Sequence, residues 1–531
     1  MKIKPFELSL AFLFVTLAIL VGWFVGADAT NNRSSEKSTE DSQKAPLLTQ
    51  PSPTNKNSQN TPKKSLSDNN LDNLLALPKE RLVRFDTDED YQRFLASLEG
   101  SNVRLLGSLD RLRAVRLGFN TKSDLDDLLG DEEQFFNNLV TLPLNPGEGS
   151  IQPGAVPFDG NALSFLGING DNSTWGEGVT IAVIDSGITA HEALPENITH
   201  FDFVDDGSTS ALHGHGTAVA SLIAGQNQIT PGVAPAADLI DIRVANSNGN
   251  SSSFQLAEGI FQAVDAGANI LHISLGSYSD SGFVKDAIEY AVSQEVAIVA
   301  SSGNEGFTQA AFPAAYPNVV TVGAVDSEGT LVDFSNTGAA LDITAPGLEV
   351  FSAWTDDRYI EFTGTSASAP YVAGAIAAGI SEFGLTPTQS IELVIANTNE
   401  AGLPGSDLSY GSGNLDVGRI VNSQTPGIND LAAVSNFLSD SRDTMTTVVQ
   451  NQGTTTIRNA TATLNTPFEQ IPLTIPSLAP GEIQTFEFTS SFNANSQTFT
   501  MTTSTALEAS INDTEPSNNT RSTSFDLVPS E

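Results

Sequence analysis

Four short segments carry side chains whose types and order suit nucleophilic chemistry. The first, Ile181-Ala182-Val183-Ile184-Asp185-Ser186-Gly187, is an apolar strand ending on an acid. It would deliver Asp185 as a partly desolvated carboxylate to a sheet edge, although an Asp there equally fits a turn or helix cap. The second, His213-Gly214-His215-Gly216-Thr217, is a glycine-flanked pair opening a helix. The positive end of a helix dipole disfavours a cationic imidazole, so a nearby anion is needed to stabilise one, and Asp185 could supply it. Two neighbouring histidines also suit a metal, but no third nitrogen or thiolate ligand stands at a recognisable spacing. In the third segment, Val299-Ala300-Ser301-Ser302-Gly303-Asn304-Glu305-Gly306, a strand runs into a glycine-rich turn. The Asn304 amide there can donate to a developing oxyanion, or simply occupy a left-handed turn. The fourth is Gly364-Thr365-Ser366-Ala367-Ser368-Ala369-Pro370. With Pro370 expected in a helix's first turn, Ser366 stands beside free backbone N–H groups, either as a nucleophile or as an N-cap.

The elements around these segments read as a frame for them. From Gly178 to about Phe383, continuous apolar runs of strand length recur at Val179–Ile184, Leu239–Val244, Ile270–Ser274, Val296–Ala300 and Val319–Val325. Strands of this kind are buried on both faces, in parallel sheets covered by helices. Helices are expected at Thr217–Ala224, Phe254–Ala266, Gly282–Ser293 and Ser366–Phe383. The prediction is an α/β domain over 150–422 with a doubly wound parallel sheet, where sites gather at the carboxyl ends of strands.

Composition narrows the chemistry further. The chain has 531 residues, and 24 Lys+Arg against 63 Asp+Glu give a net charge of −39. That charge repels polyanions and argues against nucleic acid as a partner. Zero Cys removes disulfides, thiolate metal sites and a cysteine nucleophile, and only five His remain for imidazole chemistry. Between Ser150 and Asn422 the only basic residues are Arg243, Lys285, Arg358 and Arg419. Acid spread this evenly reads as a solubilising surface rather than a recognition patch.

The flanks differ in texture. Lys2 and Lys4 precede an apolar run from Leu8 to Val25 and then Ala27-Asp28-Ala29, the pattern of an export signal or membrane anchor over 1–29. Residues 30–78 read as a disordered linker, too poor in apolar groups to offset ordering entropy. Over 79–145 the order is strand, helix, strand, strand, helix, strand: Arg81–Phe85, a Tyr91/Phe94/Leu95/Leu98 stripe, Val103–Leu109, Leu112–Phe119, a Leu125/Leu128/Leu129 stripe and Phe135–Leu142. That order predicts a small ferredoxin-like α+β domain. Residues 427–531 alternate with period two between turns such as Asn451-Gln452-Gly453 and Ala479-Pro480-Gly481, an all-β sandwich pattern.

Taken together, in the order Asp, His, Asn, Ser on one parallel-sheet framework, the four segments closely resemble the subtilisin-like serine proteases, the subtilases (peptidase S8 family). Further matches are Pro231-Gly232-Val233-Ala234-Pro235, Ile273-Ser274-Leu275-Gly276, Phe312-Pro313-Ala314-Ala315-Tyr316-Pro317 and Ala345-Pro346-Gly347. The resemblance runs from about Gly178 to Asp416. It implies a serine endopeptidase acting through an acyl-enzyme, with Ser366 as nucleophile, His215 as base and Asp185 as its orienting anion. It further implies Asn304 as oxyanion donor, and substrate lying along Ser274, Leu275 and Gly276, with Ser301, Ser302 and Gly303 opposite and Gly249 on the facing edge. No cofactor is needed for that chemistry. Structural calcium is compatible with the many carboxylates, but Ala224–Thr230 is shorter than the family's calcium loop, and the metal ligands stay unknown. Tyr371 and Ala218 stand where the family often has His, and neither position is a reacting group.

The same resemblance makes 79–145 a propeptide, an intramolecular chaperone and inhibitor whose end around Leu142–Pro146 would fill the cleft. It likens 427–531 to a CARDB-type sandwich. The expected partners are polypeptide substrates and the chain's own propeptide, with a membrane or cell-surface tether also compatible. The expected location is outside the cytoplasm, secreted or anchored. The alternative reading is a catalytically silent binding protein of this fold that works through its β-sandwich.

Overall fold

Strands apolar at every position need cover on both faces, and the middle of the chain provides it. A computed structural model describes residues 74–130, 132–147, 150–204, 212–439, 444–467, 469–489 and 498–526. The segment assigned to a signal or anchor, and the linker up to residue 73, lie outside the described residues. Among those that are described, no helix is long and apolar enough to cross a membrane.

The N-terminal elements are β1 (Glu80–Arg84), α1 (Asp88–Ser97), β2 (Arg104–Leu109), β3 (Ala114–Gly118), α2 (Lys122–Leu129), β4 (Gln134–Phe135) and β5 (Leu139–Thr141). Thr87 caps α1 by accepting from Asp90 N, and Thr121 with Asp124 forms a capping box on α2. The sheet order is β2-β3-β1-β4, antiparallel throughout, as the ferredoxin-like prediction requires. Side chains of β1 alternate between two layers: Val83 packs with Tyr91, Phe94 and Leu125 under its own helices, while Leu82 faces the central domain. The single strand expected over Phe135–Leu142 is in fact two. β4 pairs with β1, and β5 leaves the domain to pair elsewhere. Between them, Asn137 and Asn138 are buried and turn their side chains to another domain.

Next come α3 (Ala162–Phe165), β6 (Thr180–Asp185), β7 (Thr199–Asp202), α4 (His215–Ala224), β8 (Asp238–Arg243), β9 (Asn250–Ser252), α5 (Ser253–Asp265), β10 (Ile270–Ile273) and α6 (Gly282–Ser293). They are followed by β11 (Ala297–Ser301), β12 (Val320–Val325), β13 (Ile343–Pro346), β14 (Val350–Trp354), β15 (Arg358–Phe362), α7 (Thr365–Phe383), α8 (Pro387–Ala396) and α9 (Val417–Asn422). Seven strands form a parallel sheet in the order β13-β12-β11-β10-β6-β8-β7. Alternate residues of β6 feed opposite layers: Ile181 and Val183 pack with α4 and α7, Ala182 and Ile184 with α5 and α6. The direction of winding reverses beside β6, so its carboxyl end is the topological switch point where α/β domains place their sites. Pro370 is not in the first turn of α7, as expected, but inside the helix. With no N–H on its ring, it leaves the Ser366 carbonyl without the usual helical donor.

The remaining strands are β16 (Leu431–Leu438), β17 (Thr444–Asn451), β18 (Ile457–Asn465), β19 (Gln470–Leu478), β20 (Ile483–Thr489), β21 (Thr498–Ala506) and β22 (Thr520–Asp526). They make two antiparallel sheets, β16-β17-β20 and β19-β18-β21-β22, which share a core of Leu431, Met445, Ile457, Leu464, Ile475 and Met501. This is the expected sandwich.

Candidate active site

Asp185 ends β6 fully buried, and His215 opens α4 nearly as deep. The His215 Nδ1 lies 2.9 Å from both Asp185 carboxylate oxygens. Gly216 permits the approach, because a Cβ there would stand 2.6 Å from the Gly187 carbonyl oxygen. Burial alone would push the Asp185 carboxyl up. The facing His215 and the hydrogen bonds from His215 and Ser186 more than offset it, so the group sits below its ordinary range. Ser186 N donates to Asp185 Oδ1 at 2.7 Å, and its hydroxyl accepts from Gly216 N at 3.2 Å, tying the strand end to the helix start.

The other face of His215 is different. Its Nε2 is buried and has no hydrogen-bond partner among the described residues, and the same is true of the Ser366 hydroxyl. No hydrogen bond joins the two. Helices α4 and α7, which carry them, pack against each other, and the Phe362 ring just before α7 meets the His215 ring edge-on with centroids 5.2 Å apart. Two orphaned polar groups in such a setting each cost about 1–3 kcal/mol, and native structures rarely keep them without use.

Asn304 follows β11 and faces the start of α7. Its Oδ1 accepts from Thr365 N and Thr365 Oγ1, both at 2.9 Å, which fixes the amide so that Nδ2 points outward. Gly364 is needed beneath it: its φ is +137°, and a Cβ would come within 2.7 Å of Asn304 Nδ2. That Nδ2 donates to the Leu144 carbonyl at 3.0 Å.

Leu144 belongs to the segment that leaves the N-terminal domain, and this segment lies along the remaining candidate residues. β5 pairs antiparallel with β9, Thr141 exchanges two backbone hydrogen bonds with Gly276 (3.0 and 2.9 Å), and Leu142 N donates to Gly249 O at 2.9 Å. An extended peptide thus runs between Gly249 on one side and Gly276 on the other. Leu275 is buried beside it. The Ser274 hydroxyl turns inward to His272 Nε2 at 2.8 Å, and the Ser302 hydroxyl donates to the Asn336 carbonyl at 3.0 Å. Gly303 N donates to Thr365 Oγ1 at 3.2 Å, and the buried Ser301 hydroxyl has no hydrogen-bond partner among the described residues. Burial in the central strand pushes the His272 imidazole down to about 3, so it stays neutral. His213 precedes α4, its Nδ1 accepting from His215 N at 3.3 Å, and burial beside His215 lowers its pKa as well.

Sequence reasoning missed Ser186, Thr365 and Asn336. The first two adjoin named residues, and a hydroxyl next to a carboxylate or nucleophile was the available signal. Asn336 comes from a distant loop to bind the Ser302 carbonyl at 3.0 Å, and nothing local marked it. Among the described residues, no group of three or more His, Cys, Asp or Glu could hold a metal.

Residues 176–413 match the model of the subtilase family, Peptidase_S8. Subtilisin Savinase from Lederbergia lenta is 39% identical over 204 residues, covering 38% of this chain and 76% of that protein. Subtilisin DY from Bacillus licheniformis is 33% identical over 249 residues, covering 46% and 90% respectively. An alkaline protease from Shouchella clausii is also 39% identical, and there the match spans 54% of the relative's length. Among solved structures, the epidermin leader peptide processing serine protease EpiP of Staphylococcus aureus shares the fold with a TM-score of 0.53 at 22% identity, over 65% of this chain and 97% of that one. The chain belongs to the subtilase family. Within it, the relatives are subtilisins and alkaline proteases, which makes this protein a subtilisin-like serine endopeptidase.

Proposed function

We propose that the protein is exported and made as a zymogen, with Ser366, His215 and Asp185 as its catalytic triad and residues 79–145 as its propeptide. The carrying observation is the pairing of Asp185 with His215 at 2.9 Å beside two buried groups without partners, His215 Nε2 and the Ser366 hydroxyl. The nucleophile–base hydrogen bond is commonly long or misaligned outside the reacting complex and tightens within it. Ser366 Oγ attacks the scissile carbonyl while His215 takes its proton, and His215 then gives that proton to the leaving amine. Asp185 holds the imidazole tautomer and stabilises its cation without itself being protonated. The Asn304 amide and the Ser366 backbone N–H hold the oxyanion.

The zymogen reading draws support from the strand Leu139–Thr141 and the Leu144 carbonyl, which lie where an extended substrate would. Processing follows between Leu144 and about Pro157. Export rests on the basic and apolar N-terminus, and the sandwich at 427–531 serves as an attached module of CARDB type. A fluorophosphonate probe tests the chemistry. It should label the folded, processed protein and fail to label Ser366→Ala; an unlabelled wild type would leave only a binding role.

A further inference from the structure

Charge is distributed unevenly between the N-terminal domain and the domain it covers. Residues 79–145 hold nine Lys and Arg, whereas 150–422 hold four. Two of the nine reach the outer face of the side-by-side helices α5 and α6. Arg111 Nη2 donates to both oxygens of Asp265 at 3.0 and 3.1 Å. Its guanidinium lies 3.9 Å from the centroid of the Tyr290 ring and 5.4 Å from that of Phe261. The Tyr290 hydroxyl donates to Asp265 Oδ1 at 3.1 Å, so this socket is held together from within the central domain. Arg84 Nη2 lies 2.6 Å from Asp286 Oδ2, and its guanidinium carbon is 5.9 Å from the centroid of the Phe283 ring. That contact is a close ion pair rather than a directed hydrogen bond, and among the described residues no hydrogen-bond donor meets the buried Asp286 Oδ2.

We propose that this face of α5 and α6 is an arginine-reading surface whose occupant is the chain's own N-terminal domain, so that ionic strength governs how long that domain blocks the cleft. The inference rests on the propeptide reading above and adds the contacts that regulate it. Leu82, Leu109 and Ala114 supply an apolar centre to the interface, and the two arginines form its charged rim. Rim charges chiefly set association rate and salt dependence. The Arg111–Asp265 pair is part-exposed, with side chains 41% and 47% accessible, and therefore open to screening, since the Debye length falls from about 30 Å at 0.01 M salt to about 3 Å at 1 M. The Arg84–Asp286 pair is screened less, because Asp286 Oδ2 is itself buried. A planar guanidinium stacked on an aromatic ring and paired with a carboxylate is read far better than a lysine would be.

The test uses the full chain and follows the lag between refolding and the appearance of peptidase activity, normalised to the final rate at the same salt. For the wild type, raising salt from about 0.02 M to about 0.5 M should shorten the lag roughly 3–10-fold. Arg84→Ala/Arg111→Ala should show the short lag at both salts, while Arg93→Ala, whose partner Asp90 lies in its own helix, should behave as wild type. If the arginine variant keeps the wild-type lag and salt slope, the proposal is wrong. Should that variant fail to fold, Asp265→Asn/Asp286→Asn gives the same decision from the other side: a short, salt-independent lag supports the surface, and a wild-type lag overturns it. A wild type that is active at once with its N-terminal domain still attached would instead overturn the zymogen reading beneath.

Discussion

The central domain meets its two neighbours through seams of opposite character. The N-terminal seam is made of part-exposed arginine pairs, a borrowed strand and a small apolar centre. The C-terminal seam is a buried polar knot. Arg419 donates to the Gln452 carbonyl at 3.1 Å, to Asn399 Oδ1 at 3.1 Å and to the Thr398 carbonyl. Gln450 Oε1 accepts from Glu400 N and Gln452 Nε2, both at 3.0 Å, and Asn518 Nδ2 bridges Asp430 Oδ1 and Gln452 Oε1. Gln450, Gln452, Asp430 and Glu400 are all buried. Exposed ion pairs are worth little and are sensitive to salt, whereas a satisfied buried network cannot be opened piecemeal without leaving polar groups stranded. The contrast is the one the proposed zymogen needs: a seam that salt can loosen on one side and one that it cannot on the other.

Arg419→Ala should break the comparison most severely. It strands the Gln452 carbonyl and Asn399 Oδ1 and leaves the Thr398 carbonyl to Gln450 Nε2 alone at 3.3 Å, and it should cost about 2–4 kcal/mol in denaturant unfolding of precursor and mature protein alike. Asn137→Ala should cost less, about 1–2 kcal/mol, and only before processing. Its side chain accepts from Phe254 N at 3.1 Å, reaching the first turn of α5 from the N-terminal domain. Equal losses in precursor and mature forms would refute that asymmetry.

The smallest effect depends on pH. Burial pushes the Glu400 and Asp430 carboxyls up, each to about 7. The unfolded chain releases these protons near pH 4, while the folded seam keeps them until about 7. Stability therefore falls as pH rises through that window and stays lower above it. Glu400→Gln/Asp430→Asn should raise the melting temperature at pH 8 by a few degrees, on the order of 1 kcal/mol per group, and change little at pH 4. Melting curves with the same increment at both pH values would count against it.

What could be read beforehand follows from how local each cause is. β6, β8, β10, β11 and β12 were legible because strands covered on both faces are apolar at every position. The remaining two strands of the parallel sheet, Thr199–Asp202 and Ile343–Pro346, lie at its edges, and neither is a long apolar run. The helix Gly282–Ser293 has the ends expected from the sequence. The break at Asn137 and Asn138 was not expected, because those side chains answer to α5 and Ser279, more than a hundred residues away. In the same way Asp185, His215, Asn304 and Ser366 stood out through strand ends and glycines next to them. Asn336 and the inward turn of the Ser274 and Ser302 hydroxyls depend on partners that only the fold brings near.

The most direct test is the intact mass of the purified protein after incubation, for wild type and Ser366→Ala. The account predicts that the wild type loses everything before a new terminus between residues 145 and 157 and keeps the sandwich beyond 427, while Ser366→Ala retains its N-terminal domain. A Ser366→Ala chain that trims itself at the same place, or an active wild type that sheds the sandwich and keeps the N-terminal domain, would contradict it.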